Sequence, residues 1–176
     1  MNWLDLSREF DKISTDNNIQ THMDIGYKDN IPSVDKFVLP GTIIDLREKA
    51  VSGEIGPETI DLSKVSPDCA VVLRTGWEEY FGEEKYVDSP DINYDLVDKL
   101  IDKGAKLLLV DSPGIYGGAR GEEHNEMDLH IVSRGAVAVE HLCNLNKLPQ
   151  KFTIYCFPLN VRQLNWLPAR VVASWK

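Results

Sequence analysis

The sequence predicts an α/β domain built on a mixed, partly parallel sheet. Three observations carry this reading: short apolar runs of strand length recur along the chain, two capped helix-length segments separate the middle runs, and the closing runs follow one another with no helix between them.

Taken in order, residues 37–46 form the first long strand, with Pro40-Gly41 expected to interrupt it, since proline donates no hydrogen bond to a ladder. Residues 69–74 (Cys-Ala-Val-Val-Leu-Arg) and 106–111 (Lys-Leu-Leu-Leu-Val-Asp) are apolar runs too short for helices and flanked by turn formers. Between them Asn93 is a suitable helix cap, Leu96, Leu100 and Ile101 fall on one helical face, and Gly104 is the stop signal. A second helix is expected over residues 122–134, between Gly121 and Gly135. Strands at 136–140, 152–156 and 170–173 close the chain and make the sheet mixed. No repeat, low-complexity stretch or linker-like shift in composition divides the 176 residues, so one domain spanning 1–176 is expected.

Composition narrows the function classes. A net charge of −9 disfavours phosphate backbones and anionic membranes, leaving a small molecule as the expected partner. No apolar run approaches the roughly 20 residues of a membrane span, and the first residues lack the pattern of a signal peptide, so the expected location is cytoplasmic. Cys69, Cys143 and Cys156 are odd in number, far apart and set in apolar surroundings. They read as buried thiols in a reducing compartment, and the paired spacing of a thiolate zinc site is absent.

The segment Asn18-Ile19-Gln20-Thr21-His22-Met23-Asp24 carries the clearest chemistry. In an extended chain residues two apart share a face, so His22 and Asp24 point to one ion, with Asn18 on the same face. Imidazole and carboxylate suit zinc or manganese; by itself the pattern also fits a surface histidine beside an aspartate. On the second helix His124 and Asp128 lie one turn apart, either as ligand and carboxylate or as an acid/base oriented by its neighbour. His130 lies off that face, and His141 points away from Glu140 if the strand continues. The glycine-rich stretch 113–121 matches no phosphate-binding loop, and Glu122 and Glu123 oppose a phosphate there; it reads as a loop bordering the pocket, with Tyr116 and Arg120 near a substrate. Trp77 and Trp166 are candidate walls for an aromatic ligand.

An ordered set of segments resembles the cyclase family of metal-dependent hydrolases, whose known members include bacterial arylformamidases (kynurenine formamidases). Asp5-Leu6-Ser7 resembles the opening strand, and Gln20-Thr21-His22-Met23-Asp24 the second half of the His-x-Gly-Thr-His-x-Asp metal motif. Gly41 to Leu46, Val72-Leu73-Arg74-Thr75-Gly76-Trp77 and Leu109-Val110-Asp111-Ser112-Pro113 resemble later strands and turns, as do Gly135 to Leu142 with Asn144-Leu145, Phe157-Pro158-Leu159, and Pro168 to Ala173. The resemblance implies a swivelling β/β/α fold: a mixed, barrel-like sheet with helices packed outside and a metal pocket at one end. It also implies a homodimer.

Measured against that family, the chain keeps His22, Asp24 and Glu140, while the first motif histidine falls on Asn18 and the motif glycine on Gln20. The proton-transferring histidine falls on Lys28, and the histidine twelve residues before the glutamate falls on Asp128. The implied ligand set is thus His22, Asp24, Glu140, Asp128 and Asn18, with His124 and Lys28 as proton-transfer candidates. The divalent ion is Zn, Mn or Mg, with preference shifted toward Mn or Mg by the added anionic oxygens. The implied activity is hydrolysis of a small amide, formamide or lactone, arylformamidase-like in class. The alternative is a degenerate family member that binds a ligand or partner protein without turnover.

Overall fold

The structure, a computed structural model, describes residues 1–8, 20–26, 32–50, 53–118, 121–161 and 164–176. Ten strands are formed among them: β1 (Asn2–Asp5), β2 (His22–Asp24), β3 (Val38–Asp45), β4 (Glu54–Ile55), β5 (Cys69–Arg74), β6 (Asp91–Ile92), β7 (Ala105–Val110), β8 (Val137–Glu140), β9 (Lys151–Pro158) and β10 (Trp166–Trp175). The helices are α1 (Arg47–Ala50), α2 (Tyr94–Asp102) and α3 (Glu122–Ser133), accompanied by short 3₁₀ turns. No helix among the described residues is long and apolar enough to cross a membrane.

Seven strands close into a barrel-like circuit, β10-β2-β8-β7-β5-β3-β9 and back to β10, with β1 pairing on β10 beyond β2. β3, β5, β7 and β8 run parallel; the other pairings in the circuit are antiparallel, which makes the sheet mixed as expected. Strand alternation then separates two apolar layers. Met23, Ala70, Val72, Leu107, Leu109, Val137, Val139 and Leu167 fill the barrel interior. Val71, Leu73, Leu108, Val110 and Ala138 face outward, against Leu96, Val97, Leu100 and Ile101 of α2 and Met127 and Ile131 of α3.

The capped helix forms as its sequence requires: the Asn93 side-chain oxygen accepts from the Leu96 N–H at 3.1 Å, and Gly104 follows the helix end with φ 103°. Helix α3 occupies 122–133 and buries Met127, Asp128 and Ile131, so its inner face carries a carboxylate among apolar groups. One expectation is corrected: β3 runs through Pro40-Gly41 without a break. Gly41 stands opposite Phe152 of β9, and a methyl there would fall 2.3 Å from the Phe152 ring, so the glycine admits the aromatic ring against the strand.

Candidate metal centre

Strand register assembles the first half of the site. His22 pairs with Glu140 across β2 and β8, and Asp24 is flanked by Trp166 of β10 on its other side. Register partners share a face, and Met23 and Val139 take the barrel interior, so His22, Asp24, Glu140 and Trp166 all face outward toward α3. His22 Nε2 lies 3.3 Å from Asp24 Oδ2 and 3.6 Å from Glu140 Oε2, and the Trp166 ring stands edge-on to the imidazole at 5.5 Å.

Helix α3 supplies the second half from above. His124 and Asp128, one turn apart, place Nε2 3.3 Å from Oδ2, and the same nitrogen is 3.9 Å from Glu140 Oε2. Glu140 therefore joins the two halves. His124, Asp128 and Glu140 form one group whose ligand atoms all lie within 4.8 Å of one another; His22, Glu140 and His141 form another. Gly114 clears the space for His124, because a Cβ there would meet its Nδ1 at 2.7 Å and the Gly118 carbonyl at 2.3 Å.

The electrostatics of this cluster are those of a cation site. Asp24, Asp128 and Glu140 are all buried; Asp128 Oδ1 and both oxygens of Glu140 make no hydrogen bond among the described residues, and Asp24 Oδ2 has only the His22 imidazole, 3.3 Å away, beside it. Burial pushes the carboxyl of Glu140 well above its usual range, and repulsion from Asp24 and Asp128 adds to it; burial and then Asp24 do the same to Asp128. For His22 burial alone would lower the pKa, but the attraction and hydrogen bonding of Asp24 raise it overall. A divalent ion on Glu140 and either group of neighbours would relieve the repulsion there, and imidazole with carboxylate oxygens is a donor set that accepts zinc or manganese. The residues fit such an ion.

Its surroundings rest on the carboxyl ends of the parallel strands. At the end of β7 the buried Asp111 carboxylate accepts from the Thr75 N–H (2.8 Å), the Thr75 hydroxyl (2.7 Å) and the Gly76 N–H (2.7 Å), fastening β5 to β7. The adjacent Ser112 carbonyl accepts from the His141 N–H at 3.1 Å, extending the tie to β8. A groove of about 620 Å³ lies at the other ends of β7 and β8, lined in part by Lys36, Lys106, Leu129 and Val137, and it holds none of these ligands. The chemistry sits at the carboxyl ends, where ligands of parallel α/β sheets are bound.

Of the residues singled out in the sequence, His22, Asp24, Glu140, Asp128 and His124 are brought together. Asn18, Lys28 and Arg120 lie outside the described residues. His130 is turned away as expected, bonded through Nε2 to Asp98 at 2.7 Å. Trp166 borders the site, whereas Trp77 donates its indole N–H to the Tyr86 carbonyl and meets the Tyr80 ring edge-on. Tyr116 packs on the Tyr94 ring at 5.6 Å. His141 is a correction: β8 ends at Glu140, and His141 takes a left-handed φ of 57° that returns its ring to within 5.2 Å of the His22 ring. Two-residue alternation assumes a strand that continues, and no local signal short of the backbone angle reveals that it stops. Tyr86, whose hydroxyl reaches His141, was likewise not foreseen.

A family model described as putative cyclase matches residues 3–115. No protein in the curated set matches the chain. Among solved structures it is similar to a potential metal-dependent hydrolase with cyclase activity, at 18% identity and TM-score 0.79, covering 98% of this chain and 96% of that one. It is also similar to isatin hydrolase A from Labrenzia aggregata, at 19% identity and TM-score 0.77, covering 98% and 93%. A predicted metal-dependent hydrolase from Bacillus stearothermophilus follows at 17% identity and TM-score 0.74, covering 98% and 97%.

Proposed function

Since the chain belongs to the putative cyclase family, we propose that it is a metal-dependent hydrolase of a small amide, formamide or lactone, arylformamidase-like in class. The observation that carries the reading is the convergence of buried His22, Asp24 and Glu140, with His22 Nε2 3.3 Å from Asp24 Oδ2 and 3.6 Å from Glu140 Oε2, and with neither oxygen of Glu140 hydrogen-bonded among the described residues. The hydrolase names borne by its structural neighbours support the same reaction class.

In this reading His22, Asp24 and Glu140 hold a divalent ion, with Asp128 beside them. The ion supplies polarisation of a carbonyl and a more acidic water. His124, its side chain 16% exposed, stands between the buried carboxylates and the solvent side and is placed to carry a proton away from water and return it to the leaving group. Asp128 orients that imidazole through Nε2. Trp166 offers an apolar wall against which a flat acyl group or ring packs, with His22 at its edge.

The test is hydrolysis of a panel of N-formyl aromatic amines and lactones by protein treated with chelator and then supplied with Zn, Mn or Mg. Turnover that vanishes with chelation and returns with one of these ions is expected. Folded, metal-loaded protein inert on every member would turn the reading to a binding module without turnover.

A further inference from the structure

We infer that His141 is a third imidazole ligand of the metal centre, held in its ligating form by Tyr86 as a positioning residue; this rests on the metal-dependent reading above. A left-handed φ is uncommon outside glycine, histidine being among the residues that adopt it, and here hydrogen bonds hold it from both sides of the residue. The His141 N–H donates to the Ser112 carbonyl at 3.1 Å, and its carbonyl accepts from the Thr21 hydroxyl at 2.9 Å. Thr21 and His22 are neighbours on the chain, so the bond that fixes His141 also fixes it relative to the first ligand. The residue is 2% exposed, and a ring nitrogen lies within 4.8 Å of the ligand atoms of His22 and Glu140.

The Tyr86 hydroxyl stands between the Asp111 carbonyl, at 3.3 Å, and His141 Nδ1, at 2.9 Å. A carbonyl only accepts, so the hydroxyl hydrogen directed to Asp111 leaves the same oxygen to accept from Nδ1–H; the proposed ligand is this tautomer, with the lone pair on Nε2. His22 is arranged alike: its Nδ1 donates to the Gln20 carbonyl at 2.8 Å, and Nε2 faces the carboxylates. Two imidazoles, each with Nδ1–H bound to a fixed oxygen and the other nitrogen presented as a donor, are what a metal centre asks of histidine. Tyr86 is itself 4% exposed and held through its carbonyl by the Trp77 indole, so the acceptor that sets the tautomer is fixed in turn.

The experiment is titration of metal-free protein with Co(II), whose visible bands report its ligands, followed by calorimetry and absorption. The wild type is compared with His141→Asn and His141→Gly, which both tolerate the left-handed backbone, and with Tyr86→Phe. Loss of an imidazole donor should weaken Co(II) affinity about tenfold or more in both His141 variants and shift or weaken the visible bands. Tyr86→Phe should weaken binding about tenfold and change the His141 imidazole ¹⁵N shifts from the pattern with Nδ1 protonated. Wild-type affinity and unchanged bands in the folded His141 variants would overturn the inference while leaving the hydrolase reading in place. Wild-type protein that takes up no Co(II) would overturn both. Should the His141 variants fail to unfold cooperatively on heating, Tyr86→Phe decides: unaltered affinity together with an unaltered His141 tautomer would overturn the assignment.

Discussion

Asp111→Asn probes the joint on which the site rests. The Asp111 carboxylate is fully buried and surrounded by three donors, the Thr75 N–H, the Thr75 hydroxyl and the Gly76 N–H. Asparagine keeps the shape and one acceptor oxygen, enough for the two Thr75 bonds, but its NH₂ group then meets the Gly76 N–H donor to donor. A hydrogen bond to a charged group is worth about 1.5–3 kcal/mol and a neutral one about 1 kcal/mol. Losing one such bond and weakening two costs roughly 3–5 kcal/mol, and relief of a buried charge returns about 1 kcal/mol, for a net loss of roughly 2–4 kcal/mol. For a chain of this size that lowers Tm by roughly 5–15 °C. Denaturant unfolding of wild type and variant at neutral pH, with thermal melts beside it, gives the measurement. Burial pushes the pKa of Asp111 up while the three donors favour the ionised form. A loss under about 1 kcal/mol with an unchanged m-value would mean that Asp111 carries a proton in the native state, and would refute a carboxylate clamp.

Three further outcomes are expected. His124→Ala should lower the turnover rate on the best substrate by about a hundredfold or more while Mn(II) affinity by calorimetry changes little; a parallel drop in both would make His124 a ligand instead. Gly41→Ala should destabilise the protein by about 1–3 kcal/mol, because its methyl would lie 2.3 Å from the Phe152 ring, and a stability within error of wild type would show that the ring moves freely. Burial pushes the Cys156 thiol from 9.0 up to about 12, so its contribution to stability is full below pH 9 and is lost as pH rises toward 12. Wild-type stability should therefore fall more steeply above pH 9 than that of Cys156→Ala in urea unfolding, and parallel profiles would contradict it.

Much of the fold was legible because its strands and helices announce themselves locally. Cys69–Arg74 and Ala105–Val110 are near-continuous apolar runs since both faces of a parallel strand are covered, one by the barrel interior and one by α2 and α3. Asn93 and Gly104 bracket α2 through bonds that each makes within a turn of itself. Pro40-Gly41 misled because the pressure on that position comes from Phe152, more than a hundred residues away, and a tertiary contact leaves no local mark. The site divides along the same line. His22 and Asp24 follow from two-residue alternation, and His124 with Asp128 from helical spacing. Their meeting at Glu140 needed the barrel to close. His141 was hidden by one backbone angle, set by Ser112 and Thr21 from elements distant in sequence.

The carboxylates themselves argue for a cation independently of any family pattern. Asp24, Asp128 and Glu140 occupy a space walled by α3 and three strands, where an ionised oxygen without a donor is costly and a second beside it more so. Burial and repulsion from Asp24 push the carboxyls of both Glu140 and Asp128 toward the protonated form, and Asp128 adds to the push on Glu140. An organic ligand bound in place of an ion would have to bring several donors or a positive charge to the same oxygens, and a neutral amide brings too few. The histidines sharpen the point, since His22 Nε2, and Nε2 of a His141 fixed by Tyr86, would present lone pairs toward oxygens that carry lone pairs of their own. Protonating an imidazole removes part of this conflict, but a divalent ion satisfies nitrogen and oxygen together. The arrangement is therefore one whose native stability should rise on binding the ion, by RT ln(1 + [L]/Kd), or about 2.7 kcal/mol at a hundredfold excess over Kd.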